Sequence, residues 1–367
     1  MLSKPLTLAS SGGEVAASAL PDVPGRDTAL REALKLLSRF MHDDAVTEVC
    51  INRPGEVYTE STYGWQRHDM PEITKPWCKK LAQLIATFSE QKINEKDPIL
   101  SGTLPDGERV QVILPPAVEP GTVSVTIRKP SFTTKTQAEF EADGLTDEVI
   151  DQLDELAPDE QRLLELKKAR DFWAFFRLAV ESKKNIVIAG ATGSGKTTFG
   201  KTIVNFIPSH ERIVTIEDVR EMFLANHGNR VHLLYSESGS GTTEVTAKTL
   251  LQSCLRMKPD RILLAEIRSK AAYDYIVNVS SGHPGSITTV HASNCTEAFE
   301  MLMLRVKESP EGRELARKDI MALLRAKIDV VIQFQVFERR GDDGRVRKVR
   351  RISEVYYDPA YRRSRLG

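Results

Sequence analysis

Eight consecutive residues concentrate the chemistry of this chain: Gly190-Ala191-Thr192-Gly193-Ser194-Gly195-Lys196-Thr197. An apolar run from Asn185 to Ala189 precedes them, and a stretch with Phe199, Ile203, Phe206 and Ile207 on one helical face follows. The glycines therefore sit where a strand turns into a helix. In that setting successive backbone N–H groups curl inward around a chain of phosphates, and the helix N-terminus adds its partial positive charge. Lys196 is the residue type that bridges β- and γ-phosphates, Thr197 offers a hydroxyl to Mg²⁺, and Thr198 continues the first turn. Three more positions share this setting. The buried-strand pattern Arg212–Ile216 ends in Glu217-Asp218, Arg261–Ala265 ends in Glu266, and Ser286–Val290 ends in His291. Strands alternating with helices and carrying such groups at their C-terminal ends predict a doubly wound sheet with its ligand site outside those ends. His283, between Gly282 and Pro284, reads instead as a residue that shapes a loop.

The elements that must position these groups follow from the rest of the 367 residues, a length that suggests two or three domains. Lys plus Arg and Asp plus Glu number 51 each, so no global field points to nucleic acid or membrane. Cys50, Cys78, Cys254 and Cys295 form no C-x-x-C pair and fit a reducing cytoplasm. The apolar centre Leu6–Ala9 is too short for a signal-peptide core, and no run approaches eighteen apolar residues. Residues 1–26 read as a disordered lead, and 27–132 as a small α+β domain. In that domain Asp27 caps a helix with Leu30, Ala33, Leu34, Leu37, Phe40 and Met41 in its stripe. Strands near 46–51 and 57–59 follow, with a helix over 76–88. Two further strands, 109–114 and 122–128, alternate so that Arg109 and Arg128 lie opposite the Val-rich faces, the usual place for solvated strand arginines.

Residues 133–170 predict an acidic, partly helical linker: from Ala138 to Arg170 eleven acidic residues face four basic ones. The aromatics Phe172, Trp173, Phe175 and Phe176 read as packing rather than as an adenine shelf, and 171–358 forms the phosphate-binding domain. It closes with a hairpin of 328–338 and 346–357 around Gly341-Asp342-Asp343-Gly344. A basic tail, 359–367, ends the chain. The surplus of Arg and Lys after Glu338 suits a solvated tail, an anionic lipid surface or another subunit.

Four segments in order resemble the boxes of the type II/type IV secretion ATPase superfamily. They are Gly190–Thr197 (Walker A), Ile213–Asp218 (Asp box), Ile262–Glu266 (an atypical Walker B) and Gly282–Gly285 through Thr289–Ala292 (His box). Asp106-Gly107-Glu108-Arg109-Val110 and Ile127-Arg128-Lys129-Pro130-Ser131 are similar to the arginine-bearing strands of the VirB-eleven-like traffic ATPases of type IV secretion. The resemblance implies an α/β fold, a RecA-like P-loop domain behind a small α+β N-terminal domain, in a cytoplasmic homohexamer at the inner membrane. ATP and Mg²⁺ are the implied ligands. Other inner-membrane ATPases, a coupling protein and channel proteins are the implied partners, without direct nucleic-acid binding. It also implies that Arg109 and Arg128 reach the nucleotide phosphates, in cis or in trans. In the expected hydrolysis Gly190–Thr198 bind the phosphates, Lys196 and Thr197-bound Mg²⁺ spread charge, and Glu266 orients or deprotonates water. Glu217, Asp218 and Glu266 support the metal, directly or through water, and His291 senses the γ-phosphate. Ala265 stands where the superfamily generally has glycine. A pilus or type II secretion motor and a nucleotide-gated docking scaffold with little turnover are the alternatives.

Overall fold

The computed structural model describes residues 25, 27–130, 134–149, 155–236, 244–268, 271–280, 282–341 and 345–363. Apart from Gly25, the lead 1–26 lies outside them. So do Ile150 and Leu153 of the linker stripe, the turn 342–344 and the end of the basic tail.

Short helical segments Thr28–Leu34, Lys35–Leu37 and Ser38–Met41 open the N-terminal domain; Asp27 makes no side-chain cap and pairs instead with Arg31 at 2.5 Å. Six strands follow, β1 (Val46–Ile51), β2 (Gly55–Ser61), β3 (Gly64–Met70), β4 (Ile99–Thr103), β5 (Arg109–Ile113) and β6 (Ser124–Arg128), with helix Lys75–Phe88 before β4. They form one antiparallel sheet in the order β3-β2-β1-β6-β5-β4. Thr74 caps that helix by accepting from Trp77 N, Pro76 sits in its first turn, and Leu81, Ala82 and Ile85 are buried against the Val-rich face of the sheet. The other face is buried too where Gln111, Ser124 and Thr126 lie, because it meets the second domain.

That domain holds β7 (Ile186–Gly190), β8 (Ile213–Glu217), β9 (Arg230–Leu234), β10 (Arg261–Leu264), β11 (Ile287–Val290), β12 (Val330–Arg340) and β13 (Val346–Tyr357). Two sheets, β10-β8-β9 and β11-β7-β12-β13, meet at β10 and β11, where Ile267 N donates to Thr289 O at 3.0 Å and the Thr289 hydroxyl to Ala265 O at 3.0 Å. Neighbouring strands in these two sheets run parallel except β12–β13. Helices cover both faces, which is why β7, β8 and β10 are buried along their whole length and read as unbroken apolar runs. This is the doubly wound, mostly parallel sheet expected. Helix Pro158–Ala169 buries Leu163 and Leu166 in the same core as Phe175 and Phe176, so the end of the acidic segment packs with this domain. Apart from the buried Glu160, its charges mostly lie outward and hide two sparse core leucines from a composition count.

The two domains join through a buried cation. The Arg212 guanidinium is fully enclosed. It donates to Asn52 Oδ1 (2.7 Å), Asn229 Oδ1 (2.6 Å), Met257 O (2.9 Å) and Thr126 Oγ1 (3.4 Å), and lies 5.4 Å from the Trp65 ring centroid. At the other end of β9, Leu234 N donates to Ala117 O at 2.9 Å.

Candidate active site

Strand β7 delivers the phosphate-binding loop. Gly190 is obligatory at its end: its φ is +152°, and a Cβ there would stand 2.7 Å from the Phe334 carbonyl oxygen. Gly195, at φ +100°, caps helix Lys196–Ile203. Ala191, Thr192, Gly193, Thr197 and Thr198 are exposed around this turn, whereas Ser194 and Lys196 are buried. Lys196 Nζ donates to Gly190 O (2.6 Å) and Ala191 O (3.0 Å), which holds the ammonium under the loop. Burial draws its pKa below the ordinary lysine value, and the charge of Glu266 works against that shift.

Thr197, Asp218, Ala265 and Glu266 line one cavity of about 140 Å³ between this helix and the ends of β8 and β10. Glu266 is held from two sides: Arg268 donates to Oε2 at 2.8 Å, and His291 Nε2 lies 3.1 Å from Oε1, donating in the tautomer that protonates that nitrogen. Arg268 also reaches Asp218 at 3.3 Å, so one guanidinium ties the two acids together. His291 is half-exposed at the end of β11.

Glu217 is placed differently. It is fully buried and does not line the cavity. Its Oε1 accepts from the Thr215 hydroxyl at 2.7 Å with His232 Nδ1 3.3 Å away, and its Oε2 accepts from Glu221 N (2.7 Å) and Met222 N (2.8 Å). Burial raises its pKa, but these hydrogen bonds outweigh the burial and hold the carboxyl below the ordinary glutamate value. What Glu217 does here is fix the turn that carries Asp218.

Arg109 and Arg128 are register partners across β5 and β6, on the face opposite the Val-rich core. They line a separate groove of about 570 Å³ with Ser101, Thr103, Leu255 and Arg256, and no P-loop residue borders it. Arg128 Nε stands 3.5 Å from Glu48 Oε1 on β1. Within one chain, therefore, the structure brings together Lys196, Thr197, Asp218, Glu266 and His291, and leaves Arg109 and Arg128 apart.

Arg268 and His232 were not among the residues singled out from sequence. Arg268 had a signal, a cation two residues past the strand-end carboxylate; His232 sits on β9, which has no motif.

The family model for type II/IV secretion system proteins matches residues 32–349. The chain is 45% identical over 333 residues to the type IV secretion system protein VirB11 of Brucella suis, covering 90% of this chain and 91% of that protein. It is 39% identical over 335 residues to the PtlH homologue of Bordetella bronchiseptica, covering 91% and 96%. The crystal structure of the Brucella suis VirB11 ATPase, described as a complex with sulphate, superposes with a TM-score of 0.84 at 45% identity over 92% of this chain and 99% of that one. On this match and on its phosphate-binding loop, the chain belongs to the type II/IV secretion system protein family and is one of its P-loop ATPases.

Proposed function

We propose that the chain hydrolyses ATP at the cavity shared by Thr197, Asp218 and Glu266, and that a homohexameric ring of it powers a type IV secretion system at the cytoplasmic face of a bacterial inner membrane. The observation that carries this reading is the clamp on Glu266, fixed between Arg268 and His291 beside the phosphate-binding loop. Loop N–H groups and Lys196 bind the phosphates; the ammonium exchanges two carbonyl oxygens for phosphate oxygens. Glu266 orients the attacking water and takes its proton. His291 shares an oxygen of that carboxylate, so a γ-phosphate drawing His291 away would change the freedom of the base at the moment substrate is present.

Of the walls, Thr197, Asp218 and Glu266 offer oxygen, the donor type Mg²⁺ prefers, and Arg268, which now pairs with both acids, would have to yield to the ion. Among the described residues no group of three or more His, Cys, Asp or Glu forms a cage, in keeping with an ion held mainly by one hydroxyl, water and substrate phosphate. Bound there, Mg²⁺ would neutralise charge on the β- and γ-phosphates. Glu217 acts as a positioning residue through the turn that carries Asp218. Arg109 and Arg128 serve the loop of a neighbouring subunit, since their groove borders no P-loop residue of their own chain. Opening and closing of the N-terminal domain then transmits work to the other inner-membrane ATPases, the coupling protein and the channel.

Phosphate release by wild type and Glu266→Gln tests the chemistry. Loss of the base should cost about 10²–10⁴ in kcat while nucleotide still binds. A Glu266→Gln enzyme with wild-type turnover would assign the base elsewhere.

A further inference from the structure

The basic C-terminal hairpin carries one arginine that the fold brings to the nucleotide loop. β12 pairs with β7 so that Phe334 lies opposite Gly190, and β13 pairs with β12 so that Arg350 lies opposite Val336. The hairpin thus runs alongside the phosphate-binding turn. Arg350 Nε donates to Gly193 O at 2.8 Å, and its stem crosses Gly195 so closely that a Cβ there would stand 3.2 Å from Arg350 Cδ.

Two consequences follow from bond geometry and charge. In a trans peptide the C=O and the next N–H point in opposite directions, so a donor that holds the Gly193 carbonyl outward fixes the plane of the peptide whose Ser194 N–H donates across the turn to Ala191 O at 3.2 Å, a bond that phosphate would replace. Arginine also has five N–H bonds in a fixed fork, and only that of Nε is engaged; the terminal nitrogens have no protein partner among the described residues.

The surroundings say what those nitrogens would meet. Gly195, Thr198, Phe199, Thr202, Phe334 and Arg350 line a groove of about 580 Å³, and no acidic side chain borders it. Thr198 and Thr202 face this groove and Gly200 and Lys201 the Glu266 cavity, on opposite sides of helix Lys196–Ile203, and Thr197 borders both. A phosphate chain laid across the helix N-terminus with its γ end at Glu266 would bring its α end towards Arg350.

We infer that Arg350 is a nucleotide-binding residue acting in cis, which sets the Gly193–Ser194 peptide and gives its free guanidinium nitrogens to the α-phosphate, with the nucleoside lying in the Phe334–Thr202 groove. This rests on the ATPase reading above.

Isothermal titration of ADP into the full-length chain, with steady-state ATP kinetics on the same samples, tests it. Arg350→Ala should weaken ADP about tenfold, the value of one charge-assisted hydrogen bond, raise KM by a similar factor and leave kcat within about threefold. Arg350→Lys keeps the charge without the fork and should fall between alanine and wild type. Arg351→Ala, one residue along on the opposite face of the strand, should bind ADP within about twofold of wild type. Wild-type ADP affinity in Arg350→Ala, or a loss matched by Arg351→Ala, overturns the inference. So does a fall in kcat with affinity intact. Should Arg350→Ala melt early, Arg350→Lys decides: affinity equal to wild type refutes the contact. A wild type that binds ADP without hydrolysing ATP would refute the ATPase reading, and the affinity ratios would still decide Arg350.

Discussion

The Glu266 cavity and the Arg109–Arg128 groove both place guanidinium groups at the end of a sheet, yet they are finished to different degrees. In the cavity of about 140 Å³, Arg268 bridges Asp218 and Glu266, His291 takes the remaining oxygen, and Lys196 is held by two carbonyls. In the groove of about 570 Å³, Arg128 has one carboxylate at 3.5 Å and is well exposed, and Arg109 beside it has no ion pair among the described residues. Cations already engaged organise the site that holds them. Exposed ones gain little from their own chain, an exposed pair contributing at most about 1 kcal/mol, so their value lies in an anion supplied from outside. In the ring proposed above, one region is complete in the chain and the other only in the assembly.

The sharpest way to break that contrast is to remove the exposed cations. Arg109→Ala with Arg128→Ala should lower kcat of the assembled protein by about 10³ or more, as for arginine fingers, and leave ADP affinity of the unassembled chain unchanged. A loss below about tenfold, with assembly intact by light scattering, would make them ordinary surface arginines. Removing the base inside the closed region comes next: Glu266→Gln should cost about 10²–10⁴ in kcat and be indifferent to assembly, read as phosphate release at several protein concentrations.

The joint between the regions sets the third test. Arg212→Ala leaves Asn52, Asn229 and Met257 O facing a buried void and, at about 1–3 kcal/mol for each acceptor left unmet, should cost about 3–5 kcal/mol, seen in a urea titration as an earlier transition of the N-terminal sheet. A cost below about 1 kcal/mol would mean that the domains are held by other contacts.

The smallest effect is one of pH. Burial pushes Glu48 from 4.5 up to about 7, with Arg128 working against it. Between those values the folded chain keeps a proton that the unfolded chain has released, so stability falls as pH rises from about 4.5 to 7 and levels off above. At about 1.4 kcal/mol per pH unit the change is on the order of 3 kcal/mol, and Glu48→Gln should flatten it in thermal melts. An unchanged slope would show that Glu48 titrates as an ordinary glutamate.

What was legible in the sequence followed the locality of each signal. Gly190–Thr197 carries its geometry in eight residues, and the runs before Glu217, Glu266 and His291 are long enough in buried residues to read as parallel strands. β3, Gly64–Met70, was not legible: it is mostly exposed, and Gly-Trp-Gln-Arg-His-Asp-Met has no apolar alternation. Nor does β9 announce itself in Arg230–Leu234, whose pairing with β8 is set by tertiary contact. Side-chain direction was the harder loss. Glu217 and Asp218 are adjacent, so the extended backbone sends them apart, one into the core and one to the cavity. Arg350 lies 157 residues from Gly193, and only the β7–β12–β13 register joins them.

The most direct test of a site completed by assembly is to mix two inactive variants, Lys196→Ala and the Arg109→Ala/Arg128→Ala double variant, with mixed rings verified by light scattering and native mass. If the arginines act on a neighbour's loop, random mixing at equal amounts restores about a quarter of wild-type turnover, because that share of interfaces joins an intact loop to intact arginines. Mixed rings as silent as either variant alone would place the arginines over their own subunit's loop and contradict the account.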